Sequence, residues 1–162
     1  MAVCLLSDVV LVEADGPDDL AAARRLFQAY ADWLAVDLCF QGFAQELATL
    51  PGAYAPPAGR LLLAKVGGDA IGCVGLRPLE PGICEMKRLW VEPGFGGAGI
   101  GRALALRIIA EARAIGYERM RLDTIAPRMP AAQRLYASLG FREIPAYYHN
   151  PLDGVLMLEL DL

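Results

Sequence analysis

The segment PGFGGAGIGRAL, residues 93–104, constrains this chain more than any other. Five glycines fall within the eight residues from Gly94 to Gly101. Glycine reaches positive φ and lets the backbone approach a neighbour closely, at a cost in chain entropy. So dense a cluster marks a place where the main chain itself must turn or touch something. Before it, ICEMKRLWVE reads as a strand; after it, Leu104, Ala105, Ile108, Ile109, Ala112 and Ile115 repeat at helical spacing until Gly116 stops the helix. ERMRLDT reads as the next strand. Strand 83–92, helix 100–115 and strand 119–124 therefore form one βαβ crossover.

The remaining segments are arranged around that unit. MAVCLLSDVVLVEAD has no basic n-region and Asp8 interrupts it, so it reads as a first strand ending at Val9–Glu13 and not as a signal peptide. A helix follows, capped by Asp18 or Asp19, with Leu20, Ala23, Leu26, Phe27, Tyr30, Trp33, Leu34 and Leu38 on one stripe. A short helix is expected over Gln41–Leu50, and PGAYAPPAG ends it. RLLLAKV and AIGCVGLRPL make a hairpin turning at Gly67-Gly68-Asp69, and Pro81-Gly82 turns the chain again. PAAQRLYASLG is a helix closed by Gly140, and the tail holds two strands around NPLDG. Antiparallel hairpins beside a single crossover predict an α/β fold with a mixed sheet, as one domain spanning residues 1–162.

Composition narrows the function classes. Apolar residues make up 56 %, and no apolar run approaches the roughly 18 residues of a membrane span. Cys4, Cys39, Cys73 and Cys84 lie far apart with no CxxC, which predicts buried thiols in a reducing cytoplasm and no metal site. Net charge is −4, against general nucleic-acid binding, yet residues 86–142 hold ten Lys/Arg against four acids. A basic region around the glycine loop suits a small anion; an unevenly solvated surface is the plainer alternative.

Three ligands suit such a loop. Gly94-Phe-Gly96-Gly-Ala-Gly99 matches a dinucleotide fingerprint, with Asp123 at the end of the next strand, 24 residues beyond Gly99. Pro93, the glycines continuing toward the helix and the flanking hairpins argue against it. A P-loop needs GK[ST], and here Arg102-Ala103 follows Gly101. The third reading takes Gly97, Ala98, Gly99, Ile100, Gly101 and Arg102 as successive N–H groups at a helix N-terminus, a cradle for pyrophosphate.

At these residues the sequence resembles the GNAT superfamily of acyl-CoA N-acyltransferases. LWVEPGFGGAGIGRAL is similar to the family's hydrophobic-x-V-x-P strand end and [Q/R]-x-x-G-x-[G/A] loop, and MRLDT followed by AAQRLYASLGF resembles its later strand and helix. The likeness runs from about Arg60 to Leu162. Gly96 stands at the usual Gln/Arg position and Met129 at a frequent Asn, so contacts to the cofactor would rest on backbone. The resemblance implies a mixed, mostly antiparallel sheet with splayed strands and helices on both faces, residues 60–162 as the acetyl-CoA-binding core and 1–59 as the substrate side. It implies an acetyl-CoA-dependent N-acetyltransferase acting on a primary amine of a small molecule or peptide by direct ternary-complex transfer.

Residue roles follow from the same resemblance. Leu89, Trp90 and Val91 would offer main chain to the acyl-pantetheine, with the Leu89 N–H facing the thioester oxygen. Glu85 falls where some members place a general base, a carboxylate raised by desolvation; a structural partner for Lys87 or Arg88 is the alternative. Strand alternation would put Glu85, Lys87, Leu89 and Val91 on one face and Met86, Arg88 and Trp90 on the other. Tyr136 falls where a tyrosine protonates the CoA sulfur, and it also belongs to a packing stripe with Ala132, Leu135 and Leu139. Tyr147 and Tyr148 are candidates to line the acceptor pocket, and His149 reads as surface. Asp32, Asp37, Gln41, Glu46 and Tyr54 form either an acidic rim drawing a cationic amine or a solvated helix face. The expected setting is cytoplasmic, with neither nucleic acid nor membrane as partner, and a homodimer is compatible with it. An acyl-CoA-binding regulatory module and a nicotinamide-dependent enzyme are the alternative functions.

Overall fold

Gly67 and Gly68 take φ of 57° and 91°, the two-residue turn that matches strand twist, and so close the hairpin of β2 (Arg60–Val66) and β3 (Asp69–Glu80). Asp69, expected in the turn, pairs with Val66 instead. The computed structural model describes residues 4–162. Around the hairpin lie β1 (Val9–Glu13), β4 (Ile83–Val91), β5 (Arg119–Ile125), β6 (Arg142–Ile144) and β7 (Val155–Asp161), in the order β1-β2-β3-β4-β5-β7-β6. Neighbours are antiparallel except β4 and β5. This is the expected mixed sheet with one crossover.

The four helices are α1 (Gly16–Leu34), α2 (Phe43–Thr49), α3 (Ile100–Ile115) and α4 (Pro130–Leu139). Strand alternation assigns them to faces. Leu61 and Leu63 meet Ala23, Leu26 and Phe27 of α1 on one side. Leu62 and Ala64 meet Leu104, Ala105 and Ile108 of α3 on the other, where α4 adds Tyr136.

Local hydrogen bonds adjust three boundaries. Residues 1–3 of the expected first strand lie outside the described residues; Asp8 accepts the Leu5 N–H at 3.0 Å, a 3₁₀ turn forms over Leu6–Asp8, and the strand begins at Val9. The cap of α1 is Asp15, and Asp19 reaches back to accept the Asp15 N–H at 3.0 Å. The helix expected at Gln41–Leu50 is divided, because Gly42 (φ 68°) separates a 3₁₀ turn, Cys39–Gln41, from α2.

The decisive departure lies in β4. Register with β3 passes from Gly75↔Lys87 to Cys73↔Trp90, so β4 spends two residues, Arg88 and Leu89, opposite Val74. Arg88 adopts φ 60°, a bulge that increases twist. The expected single face for Glu85, Lys87, Leu89 and Val91 is therefore corrected: Leu89 and Val91 pack with the α3 cluster while Trp90 packs with the α1 cluster. Beyond the bulge the sheet opens. β4 and β5 pair only from Ile83↔Arg119 to Glu85↔Arg121, although β4 stays on β3 as far as Val91 and β5 on β7 as far as Ile125.

An ion pair secures the bulge. The Arg88 guanidinium, with its side chain 3 % exposed, donates to both Glu46 carboxylate oxygens at 2.9 and 3.1 Å and lies 5.1 Å from the Phe43 ring centre. Removing one partner of a buried pair leaves the other charge uncompensated, so Glu46→Ala should lower unfolding free energy by about 3 kcal/mol or more. Removing the Arg25–Glu92 pair, 55 % and 27 % exposed, should change it by no more than about 1 kcal/mol. Urea unfolding of both variants checks the contrast.

Candidate active site

Where β4 and β5 part, the sheet opens to a pocket. On the α3 and α4 side it is an apolar groove walled by Leu89, Val91, Gly101, Met129, Ala132 and Leu135, with Tyr30, Trp33 and Trp90 along its rim. Leu89, Met129, Ala132 and Tyr30 also line the inner cavity, so groove and cavity adjoin at these four residues. Arg128 closes one side by donating to the Leu34 carbonyl at 2.6 Å. The Thr124 hydroxyl donates to the Met129 sulfur at 3.3 Å and fixes that side chain.

The glycine loop stands at the head of the groove. Gly97 and Gly99 both take φ of 80°, and Gly99 starts α3 by accepting the Ala103 N–H at 3.0 Å. Among the described residues the N–H groups of Gly97, Ala98 and Gly99 meet no backbone acceptor. Those of Ile100, Gly101 and Arg102 belong to the first helical turn, which has none within the helix. The Arg102 side chain donates to Ser138 Oγ at 2.9 Å, tying α3 to α4. On β4, the Glu92 N–H donates to the Ile71 carbonyl at 2.8 Å. Alternation then points the N–H groups of Val91 and Leu89 away from β3, into the gap.

Polar groups gather on the opposite face. Lys87, its side chain 4 % exposed, places Nζ 3.4 Å from Asp123 Oδ1 and 3.2 Å from Gln41 Oε1. Asp123 Oδ2 accepts from the Tyr148 hydroxyl, from Asn150 Nδ2 at 3.2 Å and from Gln41 Nε2 at 3.4 Å. Burial pushes the Lys87 ammonium below the ordinary lysine value, with the Asp123 charge opposing it. Burial also works to raise the Asp123 carboxyl, but Lys87 and the Tyr148 hydrogen bond prevail and hold it below the usual 3.8.

The sequence-derived candidates separate accordingly. Leu89, Met129 and Tyr136 line the inner cavity; Leu89, Trp90, Val91, Gly101 and Met129 line the groove. Burial pushes the Tyr136 hydroxyl well above the usual 10. Glu85 lines neither; its side chain, 1 % exposed, is held by Arg77 at 2.8 Å and accepts the Tyr147 hydroxyl at 2.6 Å. Asp32 accepts Gln28 Nε2, Asp37 accepts the Cys39 N–H and Glu46 holds Arg88, so the acidic rim divides into local contacts. His149 is exposed.

Lys87, Asn150 and Asp123 in its polar role were missed. The sequence carried no local signal for the pair: only the tertiary register Glu85↔Arg121, carried on by two, sets Lys87 opposite Asp123.

The model of the Acetyltransferase (GNAT) family matches residues 24–141. The chain belongs to that family. This acetyltransferase is 41 % identical over 148 residues to an uncharacterized N-acetyltransferase of Schizosaccharomyces pombe, covering 90 % of each chain. It is 35 % identical over 103 residues to the N-acetylaspartate synthetase of Rattus norvegicus, covering 63 % of this chain and 34 % of that protein. A GNAT acetyltransferase of Elizabethkingia anophelis with acetyl-CoA bound shares its fold, with a TM-score of 0.64 and 21 % identity over 96 % of this chain and 99 % of that one.

The Lys87–Asp123 pair gives a test of this geometry. Because the folded Asp123 carboxyl titrates below its usual 3.8, its contribution to stability is complete above that value and disappears as pH falls through the lower folded one. Asp123→Asn should therefore destabilise by about 3 kcal/mol at neutral pH, where it strands the Lys87 charge. The gap from wild type should narrow below pH 3.8, as measured by urea unfolding across the acid range.

Proposed function

We propose that this acetyltransferase moves an acetyl group from acetyl-CoA to a primary amine of a small molecule or peptide, by direct attack within a ternary complex. One observation carries the proposal: a cradle of N–H groups without backbone acceptors, an apolar groove and a polar cavity stand side by side at the strand gap. The cradle suits the pyrophosphate, since unsatisfied donors and the helix dipole both favour an anion. The groove suits the pantetheine arm, and the Leu89 N–H suits the thioester oxygen, where negative charge develops during attack. The acetyl-CoA-bound relative in fold and the N-acetylaspartate synthetases among the sequence relatives support this reading.

The chemistry follows from what faces the gap. The neutral amine nitrogen attacks the acetyl carbonyl carbon, and the carbon–sulfur bond then breaks. Two protons leave the original ammonium: one by way of Asp123, the carboxylate lining the cavity, to water; the other replaces the proton that Tyr136 gives to the departing thiolate. Burial keeps Tyr136 protonated at neutral pH, as an acid for this step must be. Glu85 lies behind the cavity, engaged by Arg77 and Tyr147; we assign it to positioning. Residues 4–59 supply α1, Gln41 and the acceptor wall.

Both tryptophans, Trp33 and Trp90, border the groove with ring centres 5.4 Å apart, so CoA should change the intrinsic fluorescence on titration and NAD should not. Gly101 needs neither positive φ nor space, because a Cβ there would meet only Val91 Cγ2 at 3.9 Å. Gly101→Ala should therefore keep the stability or raise it by up to about 1 kcal/mol, yet weaken CoA binding, if the groove is the cofactor site. Tyr136→Phe should lower kcat about 100-fold with little effect on CoA affinity. Asp123→Asn should lower kcat/KM far more than Glu85→Gln, because of the two only Asp123 lines the cavity. CoA binding unaffected by Gly101→Ala, or none at all, would overturn the assignment.

A further inference from the structure

The inner cavity is richer in donors than in acceptors. Of its charged groups, Arg88 is already neutralised by Glu46, which leaves Lys87 and Asp123. Asp123 Oδ2 accepts from Tyr148, Asn150 and Gln41, and among the described residues its Oδ1 meets Lys87 alone. Lys87 has three protons to give. Two go to Gln41 Oε1 and Asp123 Oδ1 at the long separations of 3.2 and 3.4 Å. The third is left for whatever enters the cavity. A buried ammonium so loosely held is short of an anionic partner, and burial already works against its charge.

We propose that the acceptor is an amino acid in its zwitterionic form, with its carboxylate on Lys87 and its ammonium on Asp123 Oδ1. Opposed charges 3.4 Å apart in the cavity match a molecule of the same kind laid head to tail. In an α-amino acid the nitrogen and carboxylate carbon are about 2.5 Å apart, from two bonds and the angle between them. Lys87 lies two residues before Leu89 on the same strand, so a carboxylate held there leaves the amine near the thioester. Gln41 and Asn150 wall the polar side, each hydrogen-bonded to Asp123 and to the Tyr148 hydroxyl, and favour a short acceptor. The acidic residues that would attract a polycation are engaged elsewhere: Glu46 with Arg88 and Asp37 with the Cys39 backbone.

This inference rests on acetyl transfer from acetyl-CoA, and its test separates the two. Thiol release from acetyl-CoA is followed with the whole chain, offering the common amino acids and β-alanine, each beside its amide, and spermidine. At least one acid should be acetylated, with kcat/KM for its amide lower by roughly 10- to 100-fold, as for loss of a charged hydrogen bond. Lys87→Gln should raise KM for that acid by a similar factor and leave the tryptophan response to acetyl-CoA unchanged. Amides or spermidine accepted as well as the acids, in the wild-type chain, would overturn the inference and leave the transferase reading standing. No fluorescence response to acetyl-CoA and no thiol release with any amine would overturn both.

Discussion

The site depends on one buried ion pair. Arg88 stands in the left-handed region, which a residue bearing a Cβ enters at a cost of about 1–2 kcal/mol. It is held there because its guanidinium is gripped by Glu46 and bedded on Phe43. The bulge this fixes turns the end of β4 over by one residue, so that Leu89 and Val91 face the α3 side and Lys87 the other. Without that reversal the main chain beside the groove and the charged pair beside the cavity would not share one opening. α2, which contributes Glu46, is thus tied to the geometry of a strand far from it in sequence.

The polar face is organised in two layers with different duties. The outer layer, Glu85 with Arg77 and Tyr147, is internally complete: the carboxylate has a cation and a hydroxyl, and it touches neither cavity nor groove. The inner layer, Lys87 with Asp123, Gln41, Tyr148 and Asn150, is open on one side. A ligand that completes hydrogen bonding there displaces little and satisfies a charge that burial disfavours. Tyr147 and Tyr148 are neighbours in sequence, with rings 5.3 Å apart, yet one serves each layer. Their alternation on one loop brings the two layers into register.

The crossover, the strand order within the hairpins and the glycine loop were legible because each rests on local chemistry: turn glycines, helical periodicity and a capping glycine at 116. Of the groove residues, Leu89, Trp90, Val91 and Met129 were named through the family resemblance, while Tyr30, Trp33, Ala132 and Leu135 read only as helix packing positions. What remained hidden was the face of each β4 side chain, since strict alternation holds only without a bulge, and Arg88 carries no sign of left-handed backbone. Glu85 was singled out because the family resemblance implies a general base at that position. Its partners Arg77 and Tyr147 come from β3 and from the segment before β7, and only the tertiary register joins them. Lys87 and Asp123 were obscured in the same way, each reading singly as a charge on a strand.

The glycines of residues 94–101 now divide by cause. Gly97 and Gly99 are required by the chain, which enters the left-handed region at both before α3 starts. Gly101 is different: it is helical, it has room for a methyl group, and it borders the groove. Alanine would fit there without strain or crowding, so the folded chain alone gives no reason for a glycine. Close approach of a ligand to the first turn of α3 supplies one. The same first turn carries the N–H groups that have no acceptor in the helix. Backbone geometry and the missing side chain at Gly101 thus fall on one surface, the one that the proposed cofactor site would use.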